Sequence, residues 1–232
     1  MKGLILALLV PALCAGCGVS PEPSVPAGQG QEHISLPDAR LMGEMTVEEA
    51  LFERRSVRDY TGEPITLEEV SQLLWAAQGT TVDWGGRTSP SAGGTYPLEL
   101  YLVAGDVDGL EAGVYLYRTG RHELARILSG DVRKELAQAS LGQSSVEEGA
   151  VVLAISAVYE RTTGRYGGRG LRYVHMEAGH AAQNVYLQAT ALDLGCVVIG
   201  AFQDDDLSAL LGLPDDEAPL YVIPVGRIST RS

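Results

Sequence analysis

Ser89-Pro90-Ser91-Ala92-Gly93-Gly94-Thr95-Tyr96-Pro97-Leu98-Glu99-Leu100-Tyr101 is a glycine-bearing loop that runs straight into an apolar strand. Ser91, Ala92, Gly93 and Gly94 have almost no side chain, so their backbone can lie against a flat ligand and offer it N–H donors and carbonyl acceptors. Tyr96-Pro97 predicts an extended lead into Leu98 to Val103, which alternates and carries the apolar types that strands favour. Taken alone, the stretch also fits an ordinary surface loop before a strand. Three other segments carry matching chemistry.

On its N-terminal side, Thr80 to Thr88 forms a loop with Trp84, which could cover a ligand or cap the core. Before it, Thr66-Leu67-Glu68-Glu69 has the form of a capping box and opens a helix with Val70, Leu73, Leu74, Ala76 and Ala77 inward and Gly79 as its stop. Thr46-Val47-Glu48-Glu49 is a second such box, and its short helix ends in Glu53-Arg54-Arg55, followed by Ser56-Val57-Arg58-Asp59-Tyr60. Arg54, Arg55, Ser56 and Arg58 make a compact anion site, since arginine presents a rigid fork of donors suited to phosphate and the serine hydroxyl adds another. A solvated basic helix end is the plainer alternative.

On the C-terminal side, Gly113 to Tyr117 and His122 to Ile127 predict antiparallel strands. A helix over about Asp131 to Ala139 precedes Gly149 to Val158, an uninterrupted apolar run suited to a central strand covered on both faces. Arg161 to Arg172 is glycine- and arginine-rich and predicts a mobile loop beside the site. From Arg172 to Leu194 runs the longest helical pattern, surrounded by small apolar residues and marked by a polar stripe of Glu177, His180, Asn184 and Gln188. Glu177 and His180 match one half of a di-iron motif, but a di-iron site needs two such pairs, so His180 is read as a satisfied core histidine or one near a ligand or subunit boundary. Leu194 to Phe202 predicts a strand, Asp205 to Leu211 a helix, and Pro219 to Arg227 a final strand whose terminal Gly226-Arg227 is placed to meet a ligand.

The whole chain has 232 residues, 45% hydrophobic and 20% charged, with a formal net charge of −13. That length and composition fit a globular protein with a sizeable core, and the charge argues against nucleic acid or an anionic membrane surface as a partner. Residues 1–17 have the outline of a signal peptide: one lysine, an apolar run from Leu4 to Leu13, then small residues. Leu13-Cys14-Ala15-Gly16-Cys17 resembles a bacterial lipobox, which predicts a lipid anchor at Cys17 and an extracytoplasmic, cell-envelope location. Residues 18–40, rich in proline, glycine and serine, are expected to be a flexible linker, and 41–232 the folded domain.

Five ordered segments together resemble the nitroreductase superfamily: Arg54 to Tyr60, Pro90 to Glu99, Glu177 to Asn184, Ile199-Gly200-Ala201-Phe202, and Pro224 to Arg227. Within it the chain is similar to the SagB/ThcOx-type dehydrogenases, named for azoline oxidases of peptide natural-product pathways. The resemblance implies an α+β, three-layer sandwich with a mostly antiparallel central sheet flanked by helices, binding FMN, usually as a homodimer with the flavin at the subunit interface. It implies that Arg54, Arg55, Ser56 and Arg58 hold the phosphate and ribityl end and that Arg227 completes the clamp. Pro90, Ser91, Ala92 and Gly93 would then line the isoalloxazine, with Ile199 and Gly200 on its other side. The azoline oxidases carry a Lys-Tyr pair acting as base before the central helix, and the corresponding pair here is Arg165-Tyr166. Arginine stays protonated, so the acid or base role falls to Tyr166 with Arg165 beside it. Hydride transfer between flavin and a small organic or peptide-derived substrate is the implied activity. A tethered flavin- or ligand-binding lipoprotein without turnover is the alternative.

Overall fold

The computed structural model describes residues 32–229; the leader, Cys17 and most of the expected linker lie outside them. In chain order the elements are β1 (His33–Ser35), α1 (Val47–Glu53), β2 (Ile65–Thr66), α2 (Leu67–Gln78), β3 (Leu98–Ala104), β4 (Val107–Asp108), β5 (Gly113–Arg118) and β6 (Glu123–Ser129). They continue with α3 (Arg133–Ala139), α4 (Ser144–Glu148), β7 (Val151–Ala157), α5 (Glu160–Tyr166), α6 (Arg169–Ala191), β8 (Leu194–Cys196), α7 (Asp204–Leu211) and β9 (Ala218–Arg227). Both capping boxes form as the sequence predicts, at Thr46 with Glu49 and at Thr66 with Glu69, and Gly79 ends α2.

Seven strands make one antiparallel sheet in the order β1-β6-β5-β3-β7-β9-β8, and β2 and β4 form a small parallel pair. Every residue of β3 and β7 is buried, because helices cover both faces. On one side Leu98, Leu100 and Leu102 of β3 join Leu73 and Leu74 of α2 and Val174, Ala178 and Val185 of α6 in a single core. On the other, Tyr101 and Val103 meet Leu136 of α3, Val146 of α4 and Leu207 and Leu211 of α7. The three-layer α+β sandwich is therefore present, with α6 at the centre of one layer.

Four expectations need correction. The fold begins before Leu41: β1 pairs with β6 from His33 to Ser35, Leu36 is buried, and Gln72 holds both the N–H and the carbonyl of Arg40, so residues 33–40 are an edge strand and a strap. Arg161 to Arg172 is α5 and the first turn of α6, separated by Gly167 at a φ of 56°. Arg161, Thr162 and Arg165 of this run bond to the glycine loop and to Glu99 behind it, as set out below. The strand from Leu194 stops at Cys196, because the Val198 N–H is taken at 3.0 Å by the Tyr186 hydroxyl, leaving Ile199 a single bridge to Val222. His180 is exposed and is no core histidine, whereas Glu177 of the same stripe is buried.

Candidate functional site

The arginine segment follows α1 directly and is laid along the β8–β9 edge. The Val57 N–H donates to the Cys196 carbonyl at 2.9 Å, the Thr61 N–H to the Arg227 carbonyl at 2.9 Å, and the Tyr60 hydroxyl is shared between the Val57 and Pro224 carbonyls at 3.1 Å each. Ser56 Oγ lies 2.9 Å from the Tyr186 hydroxyl of α6, and the Arg54 guanidinium lies 4.9 Å over the ring of the same tyrosine. Arg55 donates to the Phe52 and Arg54 carbonyls, and Arg58 is exposed. Three guanidiniums thus rest on carbonyls, an aromatic face and solvent, within a strongly acidic chain. Arg227 joins them at the end of β9, but its fork is engaged: it donates to both carboxylate oxygens of Glu69 at 2.8 and 2.9 Å and, through Nε, to the Pro64 carbonyl at 3.2 Å. Of the five N–H groups of a guanidinium, two remain for anything else.

The glycine loop turns through a 3₁₀ segment, Ala92–Gly94, with Gly93 at a φ of 64°, where a side chain would be strained. Tyr96, expected to be extended before its proline, has a φ of 44°. That uncommon backbone is held by its N–H donating to Ser91 Oγ at 2.9 Å and by the Arg87 guanidinium, 4.6 Å over its ring. The loop is pinned beneath to α6, where Asn184 donates to the Ala76 carbonyl at 3.0 Å and to Ser89 Oγ at 3.2 Å, and Ser89 donates to the Ala77 carbonyl at 2.8 Å.

Helix α5 is zipped to the same loop. Arg161 pairs with buried Glu99 at 2.6 Å and donates to the Tyr96 carbonyl at 3.2 Å, Thr162 and Thr95 hydroxyls lie 2.8 Å apart, and Arg165 donates to the Gly93 carbonyl at 3.0 Å. Tyr166 stands T-shaped on Tyr173 with ring centroids 5.2 Å apart, and a Cβ at Gly93 would run into its hydroxyl. The predicted Arg165-Tyr166 pair and Gly93 are thus brought together. Pro90 and Gly93 are exposed while Ser91 and Ala92 are half-buried; Ile199 is buried and Gly200 exposed, where the added Cβ would come no nearer than 3.8 Å to Tyr221. Trp84 is exposed and caps no core.

Both sets attach to α6, at Glu177 and Asn184 for the loop and at Tyr186 for the arginine segment. Glu177 and Tyr186 are separated along the helix axis by ~14 Å at 1.5 Å per residue. Glu177 is only 2% exposed; burial pushes its carboxyl up to about 7, against the pull of the Ser91 hydroxyl and the Arg87 guanidinium, and its Oε1 has no hydrogen-bond partner among the described residues. A groove of about 760 Å³ lies beside this face under residues 40–47, lined by Met42, Trp75, Asn184 and Gln188, and no predicted site residue lines it. Among the described residues no group of histidines, cysteines and carboxylates could hold a metal ion.

Sequence reading missed Tyr186, Glu99, Arg87 and Arg161. Glu99 alone carried a signal, as a carboxylate inside an apolar strand that has to find a buried partner.

A sheet-and-helix sandwich whose central helix gathers the arginine segment and the glycine loop defines the class of protein. Residues 51–227 match the model of the nitroreductase family, and the chain belongs to that family as one of its oxidoreductases. It is 52% identical over 194 residues to a protein of Methanocaldococcus jannaschii described as a nitroreductase, covering 84% of this chain and 96% of that one. The trifolitoxin operon protein TfxC of Rhizobium leguminosarum bv. trifolii is 26% identical over 81% of this chain, which spans 57% of TfxC. Among solved structures, a nitroreductase from Anabaena variabilis superposes with a TM-score of 0.77 at 34% identity, over 86% of this chain and 42% of that one. The Escherichia coli microcin synthetase McbBCD complex, with truncated pro-MccB17 bound, shares the fold at a TM-score of 0.68 and 22% identity, over 91% of this chain and 84% of that one.

Proposed function

We propose that this protein is an FMN-dependent oxidoreductase that moves a hydride between the flavin and a small organic or peptide-derived substrate. The observation that carries the reading is the attachment of both ligand-binding sets to one helix, with Tyr166 beside the glycine loop. The residues fit the cofactor: exposed cationic groups at one station, a side-chain-free loop at the other, and a buried carboxyl oxygen without a partner beneath that loop. When bound, flavin supplies the two-electron redox chemistry, and the protein supplies position and electrostatics.

In this reading Arg54, Arg55, Ser56 and Arg58 hold the phosphate and ribityl end, and Arg227 adds its remaining N–H groups without leaving Glu69. Pro90, Ser91, Ala92 and Gly93 line one side of the ring, while Ile199 and Gly200 close the other and exclude water. Tyr166 exchanges a proton with the substrate at its hydroxyl. Arg165 is a positioning residue, since its donation to the Gly93 carbonyl fixes the loop against that tyrosine. The likeness to TfxC, a protein of a trifolitoxin operon, favours a peptide-derived substrate. Leu41, Met42, Val47, Leu51 and Phe52 expose a run of apolar surface along the strap and α1, which supports a homodimer. Lipidation at Cys17 would tether the enzyme outside the cytoplasm.

The purified chain is expected to be yellow, to release FMN on denaturation, and to lose it when Arg54 and Ser56 are both changed to alanine. A chain that cannot be loaded with FMN overturns the proposal. Photoreduction followed by mixing with an acceptor separates turnover from storage: a mere flavin binder reoxidises at a rate independent of the acceptor.

A further inference from the structure

Tyr186 of α6 touches three separate parts of the proposed flavin site. Its hydroxyl accepts the Val198 N–H at 3.0 Å and lies 2.9 Å from Ser56 Oγ, and its ring carries the Arg54 guanidinium at 4.9 Å. Ser56 and Arg54 belong to the segment assigned to the phosphate, while Val198 immediately precedes Ile199 and Gly200, assigned to the ring.

A phenol has one proton to give. The Val198 N–H occupies a lone pair of Tyr186, so the phenolic proton points elsewhere, and among the described residues its acceptor is Ser56 Oγ. Tyr186 is therefore the donor to Ser56. The Ser56 proton is then the free one, since it has no acceptor among the described residues. Backbone N–H, phenol and serine hydroxyl donate in series toward the surface, and each bond polarises the next.

The frame around this series is close-packed. The Val57 N–H donates to the Cys196 carbonyl, and a Cβ on Gly195 would come within 2.8 Å of the Val57 side chain, as one on Gly226 would of the Tyr60 ring. Both strands are thus bare where the arginine segment crosses them, which seats the backbone on either side of Ser56 against β8 and β9. The Val198 N–H bonds a side chain rather than the sheet, a local break with the ladder of the kind found where a fold carries a site.

We propose that Tyr186 is a positioning residue that aims the Ser56 hydroxyl proton and the Arg54 guanidinium at the ligand's phosphate, an inference that rests on the flavin reading. With the phenol as donor behind it, Ser56 meets the ligand as a donor, and a phosphoryl oxygen takes a bond that a freely turning hydroxyl would offer less often. Arg54 is held by its stack on the same ring, which leaves the N–H groups of its fork for the anion. Arg58 remains exposed and adjusts to what the other two hold.

The test compares FMN with riboflavin, which lacks only the phosphate, by fluorescence titration of the flavin-depleted protein. Tyr186→Phe keeps the ring beneath Arg54 and deletes the hydroxyl. It is expected to weaken FMN about five- to tenfold and riboflavin less than about twofold. Any loosening of the Val198 segment acts on both ligands alike and cancels in the ratio. In a Ser56→Ala background the same substitution is expected to leave the ratio unchanged, since the phenol then has no serine to aim. Tyr186→Leu, which removes the ring as well, is expected to weaken FMN a further two- to fivefold or so through Arg54. Equal losses for the two ligands, or a Tyr186→Phe effect that persists beside Ser56→Ala, overturn the positioning role and leave the flavin reading standing. The wild-type protein gives a check free of any variant: inorganic phosphate is expected to move the Val198 amide resonance together with that of Ser56. A Val198 resonance that stays put while Ser56 moves is fatal to the relay. A protein that binds neither FMN nor phosphate overturns both readings.

Discussion

At the Glu177 turn of α6 the neighbouring loop is held by buried and shared polar groups, whereas nearer the helix end, at Tyr186, the arginine segment lies on the surface. Arg161 of the first region spends its charge on buried Glu99 and the Tyr96 carbonyl. Arg58 of the second is exposed. The same residue type therefore does opposite work: one guanidinium builds the fold, and the other lies in solvent. The difference suits the proposed ligand, because a ring must be met by fixed geometry, while a phosphate needs only cations that its arrival can organise.

The comparison can be broken by substitution. The largest expected effect is Arg161→Met, which strands Glu99 in the core and should cost about 3 kcal/mol in urea unfolding, as removal of one partner from a buried pair does. A loss below about 1 kcal/mol would mean that α5 is held by its hydroxyl bonds and by Arg165 on the Gly93 carbonyl.

Next is the pH dependence of stability. Glu177 and Glu217 are both raised from the ordinary 4.5 to about 7 by burial. A carboxyl raised on folding holds its proton more tightly in the native state, so its contribution is fully present below about pH 4.5 and is lost as pH rises through about 7. For each the loss is on the order of 3 kcal/mol. Unfolding at pH 5 and pH 8 should show a falling slope that Glu177→Gln reduces, with Glu217 and Glu99, both also raised by burial, carrying the rest. An unchanged slope would mean that Glu177 titrates alike folded and unfolded.

A smaller effect sharpens the contrast. Thr46→Ala removes the capping box that opens α1, and should cost about 1 kcal/mol with no change at the glycine loop. Smallest is Arg58→Ala, expected to shift stability by less than about 0.5 kcal/mol while weakening FMN binding. Were it to destabilise the fold as Arg161→Met does, the arginine segment would be structural and the contrast would fail.

Much of this was legible because it is local. Thr46 and Thr66 carry a glutamate at the third following position, and both capping boxes form. The apolar run after Gly149 is long enough only for a strand buried on both faces, and β7 is that strand. The glycine loop and the Arg165-Tyr166 pair were each visible, but not their meeting, which joins residues 72 positions apart. The polar run after Arg161 read as a solvent loop because its partners, Glu99, Tyr96 and Thr95, lie on other elements.

By itself the sequence determined most of the elements, both capping boxes and the segments that mark the family, because periodicity, turn chemistry and motif spacing act between near neighbours; the layered α+β class came through the family resemblance. Only the tertiary structure decided that Arg227 is forked onto Glu69, that Tyr186 ends β8 by taking the Val198 N–H, and that Glu177 lies buried under Ser91. The first two are polar groups satisfied by distant partners, and the third is a carboxyl enclosed by distant elements. Which partner that is depends on how the layers pack, a quantity that no single stretch of chain contains.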